Sequence, residues 1–156
     1  MLTISRLKDV INKENTSITE KISNVFLMVA DSDVSFCNGE LTCFNKDNYD
    51  NYRYSNWLIK INKSINNTGR LEEFVLANIQ HQEVLDIIIS SYNDIGSKII
   101  KRIMAQKYLY NYSINRILED CDISLYSYYQ FIKIGENIFL KNIEKELCYN
   151  TNYEKT

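Results

Sequence analysis

Residues 113–132 read Ser113-Ile-Asn-Arg-Ile-Leu-Glu-Asp-Cys-Asp-Ile-Ser-Leu-Tyr-Ser-Tyr-Tyr-Gln-Phe-Ile132. Ser113 can cap a short helix, because its hydroxyl can accept a free amide of the first turn. Ile114, Ile117 and Leu118 give that helix one apolar face. Cys121-Asp122-Ile123 leaves room only for a tight turn with one apolar anchor. Ser124 can cap a second helix, with Tyr128, Ile132 and Gly135 on its buried side. Two helices joined by a tight turn, the second one capped, form a helix-turn-helix outline. Such a unit offers the amino-terminal, solvent-facing side chains of its second helix to a groove. Here those are Leu125, Tyr126, Ser127, Tyr129, Gln130 and Lys133.

Outward from this stretch the pattern stays helical. The second helix continues to about 147. Upstream, Ile99, Ile100, Ile103, Met104 and Tyr108 mark another helix. Leu71, Phe74, Val75, Ile79, Leu85, Ile88 and Ile89 mark a long one over 71–91, broken from Asn93 to Gly96. The chain has 156 residues and no proline, so nothing forces a break inside these helices.

The amino-terminal part reads differently. Leu7, Val10 and Ile11 share one helical face. Ser17-Ile-Thr-Glu20 is a capping-box pattern, and Ile18, Ile22, Val25, Phe26 and Val29 recur at helical spacing in a helix over 17–30. Val34 and Phe36, then Leu41 and Cys43, alternate about Asn38-Gly39, a strong hairpin signal. Residues 45–56 read as a polar loop, residues 57–65 fit either a strand or a helix, and 66–70 read as a linker. The fold expected is mainly α, with a carboxy-terminal helix-turn-helix bundle and a smaller amino-terminal helical part carrying a β-hairpin. The division expected is an interaction or dimerisation region at 1–65, a helix-turn-helix domain at 71–148 and a tail at 149–156.

The stretch from Ile99 to Leu147, about a third of the chain, resembles the ArpU-like late transcription regulators of Gram-positive phages. Their helix-turn-helix is in turn similar to that in the fourth region of primary sigma factors. The matching residues are Ile103-Met-Ala-Gln-Lys-Tyr-Leu109, Ser113-Ile-Asn-Arg-Ile-Leu118, Ile123-Ser124 and Ser127-Tyr-Tyr-Gln130. Leu118, Gln130 and Gly135 depart from the Ala, Arg and Ala common at those places. The resemblance implies a cytoplasmic, sequence-specific regulator that binds double-stranded promoter DNA and activates late genes of a phage or related element. It also implies contact with host RNA polymerase or self-association as a homodimer.

Ser113, Arg116, Ser124, Tyr126, Ser127, Tyr129, Gln130 and Lys133 are the candidate DNA-binding residues. Arg116 and Lys133 suit phosphates, and each phosphate neutralised adds salt-dependent affinity. Tyr126 and Tyr129 suit phosphate bonding or packing on thymine methyls, while Tyr128 reads as core. The remaining basic residues, Lys98, Lys101, Arg102, Lys107 and Lys141, read as a solvated face.

Charge divides along the chain. Residues 1–95 hold 9 basic and 13 acidic residues, whereas 96–147 hold 8 and 6. A total of -2 argues against a strongly basic coat protein. The second helix is also rich in tyrosine and poor in arginine. That composition leaves a second reading open: a protein-interaction module that keeps the helix-turn-helix outline and binds a regulatory protein.

No CxxC pair occurs among the 4 cysteines, so zinc is not expected, and free thiols of a reducing compartment are. No apolar run approaches the roughly 18 residues of a membrane span, and no signal peptide is recognisable behind Met1. The lone His81 reads as a surface or rim residue. No Ser-His-Asp order, glycine-rich phosphate loop or carboxylate cluster suggests catalysis or a cofactor. An enzyme is the class least expected.

Overall fold

The computed structural model describes residues 2–43 and 70–154. The elements run α1 (Ile4–Asn12), α2 (Ile18–Met28), β1 (Val34–Cys37), β2 (Glu40–Cys43), α3 (Arg70–Asn93), α4 (Lys98–Met104), a π-helical segment (Ala105–Leu109), α5 (Ile114–Cys121) and α6 (Leu125–Glu154). The fold is therefore mainly helical, with one antiparallel hairpin near the amino terminus. The loop expected at 45–56, the ambiguous stretch 57–65 and the linker at 66–69 lie outside the described residues. Arg70 opens α3 rather than closing a linker.

Caps start most of these helices. Thr3 accepts the Arg6 amide at 3.1 Å, Ser17 the Glu20 amide at 3.1 Å, and Ser97 the Ile100 amide at 3.3 Å. In the hairpin, Cys37 faces Glu40 across Asn38 and Gly39, whose φ values are 55° and 83°. Two successive left-handed residues give a turn whose twist matches the strands, and Asn-Gly adopts it readily.

A hairpin of this size is marginal alone. This one is tied to the helices through the second pair from its turn, Phe36 and Leu41. The Asn93 side chain accepts the Leu41 amide at 2.7 Å and donates to the Leu41 carbonyl at 3.0 Å. On the other strand the Tyr110 hydroxyl accepts the Phe36 amide at 2.9 Å and faces its carbonyl at 3.4 Å.

One core joins the amino-terminal elements to the later helices. It includes Leu7, Ile22, Phe26, Leu41, Leu85, Ile103, Ile117 and Ile143. Its aromatic centre is Phe26, Tyr92 and Phe139, with centroids 5.4–6.0 Å apart and steeply inclined planes, the edge-to-face arrangement favoured by ring quadrupoles. Tyr108 stacks on Phe26 at 5.1 Å.

The helix expected through Tyr108 is not uniform. It widens to π geometry at Ala105, where the Tyr110 amide reaches back to the Ala105 carbonyl at 3.1 Å. Such widened turns occur mostly as short pieces inside α-helices. A pattern of apolar residues cannot show one, because Ala105 and Gln106 are buried in it just as an α-helix would bury them.

Other expectations are corrected by packing. Lys101 is buried, not solvated, and its Nζ reaches the Asn93 carbonyl at 3.5 Å. Lys107 is half-buried, with Nζ 3.8 Å from Glu136. Ile18 and Ile79 are exposed, outside the apolar faces that the spacing assigned to them. α6 runs on to Glu154, past the end expected near 147, since neither glycine nor proline follows Gly135 to stop it.

Candidate nucleic-acid interface

α5 begins at Ser113, whose Oγ accepts the Arg116 amide at 3.3 Å. It ends at Asp122, which sits in the left-handed region at φ 51° and ψ 55°. The Ile123 amide reaches the Leu118 carbonyl at 3.2 Å and the Asp122 amide the Glu119 carbonyl at 3.3 Å. These two bonds form a Schellman motif, in which the residue after the turn packs back on the helix end. Leu118 and Ile123 supply that apolar contact, both packed against the core. A small residue at 118 would contribute less there.

Ser124 then caps α6. Its Oγ accepts the Ser127 amide at 3.1 Å, and the two hydroxyls are 3.1 Å apart. The turn between the helices is therefore Asp122-Ile123-Ser124, the length and left-handed bend that a helix-turn-helix uses. α4 braces it. Arg102 Nη2 donates to the Asp120 carbonyl at 3.0 Å, and Cys121 Sγ lies 3.6 Å from Gln106 Oε1. Burial pushes the Cys121 thiol up, so it stays protonated at neutral pH.

α6 seats itself against α4 at Gly135. A Cβ there would collide with Met104 Sδ and come within 2.5 Å of Ile100 Cγ2. Glycine is what allows the two helices this approach. Tyr128 and Ile132 share the buried side, at 2% and 6% exposure. Glu136, also buried, accepts from Thr19 Oγ1 at 2.8 Å and from the Tyr108 hydroxyl. This carboxylate joins α2, the π-helical segment and α6.

The eight candidate residues fall into two groups, with Arg116 apart from both. Ser113 and Ser124 are exposed, but their hydroxyls serve as caps, and Ser127 is half-buried against its cap. Tyr126, Tyr129, Gln130 and Lys133 are exposed on the outer face of α6. Their spacing of three, one and three residues lines them up in one stripe about two turns long. Arg116 lies on α5, with Nε 3.9 Å from Asp120 Oδ2 and its guanidinium 3.6 Å from the centroid of the Tyr112 ring.

The surroundings are not uniformly basic. Glu119, Asp120 and Asp122 are exposed at the turn, and Leu125 and Ile134 are exposed on α6.

Sequence reasoning passed over Tyr112 and Glu136, and placed Tyr108 only on a helical face. A signal existed only for Arg116 and Asp120, which stand four apart on a helix. His81 accepts the Leu2 amide at Nδ1, 3.2 Å away, and is a half-buried rim residue. Among the described residues, no helix is long and apolar enough to cross a membrane, and no group of three or more His, Cys, Asp or Glu is placed to hold a metal ion. Comparison with family models, with curated proteins and with solved structures finds no match.

Proposed function

We propose that this chain is a sequence-specific DNA-binding transcription regulator that reads promoter DNA with the first turns of α6. The observation that carries the reading is the Asp122-Ile123-Ser124 turn leading into a capped helix whose outer stripe is Tyr126, Tyr129, Gln130 and Lys133. Gln130 has the paired donor and acceptor that match an adenine edge in the major groove. Lys133 on the same stripe and Arg116 on α5 are the phosphate contacts. Tyr126 and Tyr129 offer apolar ring faces and hydroxyls at the same surface. The resemblance to ArpU-like regulators supports the rest of the proposal: activation of late genes of a phage or related element in a bacterial cytoplasm, with contact with host RNA polymerase or assembly as a homodimer. The proposal includes no catalytic step and no cofactor.

The test is selection of bound duplexes from random DNA, followed by titration of the selected site. Gln130→Ala combined with Lys133→Ala is expected to weaken binding about tenfold or more while the chain stays folded. Unchanged affinity for the selected site would overturn the proposal.

A second reading is favoured by one observation. Glu119, Asp120 and Asp122 place acidic charge at the turn that leads into the exposed side chains Leu125 and Tyr126. That surface suits a regulatory protein with apolar anchors and a basic rim. A salt-sensitive, sequence-selective complex of the purified chain with DNA removes the support for this reading.

A further inference from the structure

Arg116 is held on two sides. Its guanidinium lies over Tyr112 at 3.6 Å from the ring centroid, and its Nε faces Asp120 at 3.9 Å. The side chain still keeps 57% exposure. The Asp120 contact is long and wet, too weak to hold the charge against a phosphate. The flat ring of Tyr112 is a different kind of support, because a guanidinium stacked on it keeps its in-plane donors for a ligand.

Tyr112 is itself fixed. Its amide donates to the Gln106 carbonyl at 2.9 Å, which ties it to the π-helical segment. Its ring lies 5.9 Å from that of Tyr110, inclined by 31°. Tyr110 is in turn bonded to Phe36 of the hairpin. A chain of contacts therefore runs from β1 through two tyrosines to the guanidinium.

Resting on the DNA-binding reading above, we infer that Tyr112 is a positioning residue that presets the Arg116 guanidinium as a phosphate clamp. An arginine loose in solvent gives up its rotamer freedom when it binds a phosphate, and one already stacked gives up less.

The test measures affinity for the selected duplex at several salt concentrations. Arg116→Ala lowers the slope of log affinity against log salt by about 1. Tyr112→Ala weakens binding about two- to fivefold and adds nothing when Arg116 is already alanine. Tyr112→Phe keeps the ring and binds as the natural chain does. In the free protein, the Arg116 side-chain protons show an upfield ring-current shift that Tyr112→Phe keeps and Tyr112→Ala loses.

Additive losses from the two alanines, or full affinity in Tyr112→Ala, overturn the inference. Should Tyr112→Ala not fold, Arg116→Lys makes the test from the other side. It keeps the charge without the flat fork, so the salt slope stays and affinity falls by the same factor. Full affinity in that variant also overturns the inference. A changed slope in Arg116→Ala with no effect at Tyr112 removes this inference alone. Absence of any selective DNA complex removes the functional reading and this role with it.

Discussion

Replacing Gly135 by alanine sets two known effects against each other. In an exposed helix the change would stabilise by about 1 kcal/mol, because glycine is the costlier helical residue. Here the new methyl meets Ile100 Cγ2 at 2.5 Å, Met104 Cγ at 3.3 Å and Met104 Sδ. The methionine tip can turn, but Met104 is fully buried, so it must turn among packed side chains. Ile100 Cγ2 is bonded directly to Cβ and moves only with χ1, which is stiff in a β-branched helical residue. Overpacking of this kind costs about 1–3 kcal/mol. The net expectation is a destabilisation of about 0–2 kcal/mol. Urea unfolding is the assay, with the midpoint falling and the slope unchanged. Gly96 is the control. It has nothing within 4 Å and no left-handed φ, so Gly96→Ala is expected to stabilise by about 0.4–1 kcal/mol. In an Ile100→Ala background the cost of Gly135→Ala shrinks, because the obstructing methyl is gone. A raised midpoint for Gly135→Ala in the natural background would refute the close seating of α6 on α4.

Alkaline pH offers an independent check. Burial raises the Tyr92 phenol well above the usual range, against a lowering bond from the Ala105 backbone. Burial, then Glu136, raises that of Tyr108. Both stay protonated in the fold and ionise near pH 10 when unfolded, so their contribution is complete below about pH 10 and is lost as pH climbs beyond it. Urea midpoints measured from about pH 8 to about pH 11.5 should fall at the alkaline end, and Tyr108→Phe should make the fall shallower. Asp122→Gly relieves a left-handed non-glycine residue and is expected to raise stability by about 1 kcal/mol, read by thermal unfolding. The same change removes a negative charge beside the proposed interface, so the selected duplex should bind more tightly at low salt. Glu136→Ala leaves the Thr19 and Tyr108 hydroxyls without their shared acceptor, and a loss of about 1–3 kcal/mol is expected in urea.

The helices and the hairpin were legible because each carries its signal locally. Ser17, Ser113 and Ser124 cap where their spacing to the first apolar residues says they should, and Asn38-Gly39 turns where two alternating runs meet. The outer stripe of α6 was legible for the same reason, since Tyr128, Ile132 and Gly135 define the inner one. What stayed hidden depends on groups far apart in the chain. Asn93 and Leu41 meet across 52 positions, and Thr19 and Glu136 across 117. Lys101 looked solvated because its charge says so, yet its long stem is covered and its amine reaches the Asn93 carbonyl. Gly135 looked like a costly departure until the position of Ile100 was known. The widened turn at Ala105 leaves no mark, because burial alone does not distinguish five residues per hydrogen-bonded loop from four.

The way Phe36 and Leu41 are held has a bearing on how two copies of this chain could meet. Where a small sheet leaves backbone donors and acceptors along its edge, another chain can add a strand there. In this hairpin Asn93 occupies that role beside Leu41, and Tyr110 occupies it beside Phe36. Each side chain mimics part of a neighbouring strand without offering the next edge for growth. A second chain could extend the sheet at this pair only by first displacing one of them. At this pair the hairpin ends a ladder instead of starting one.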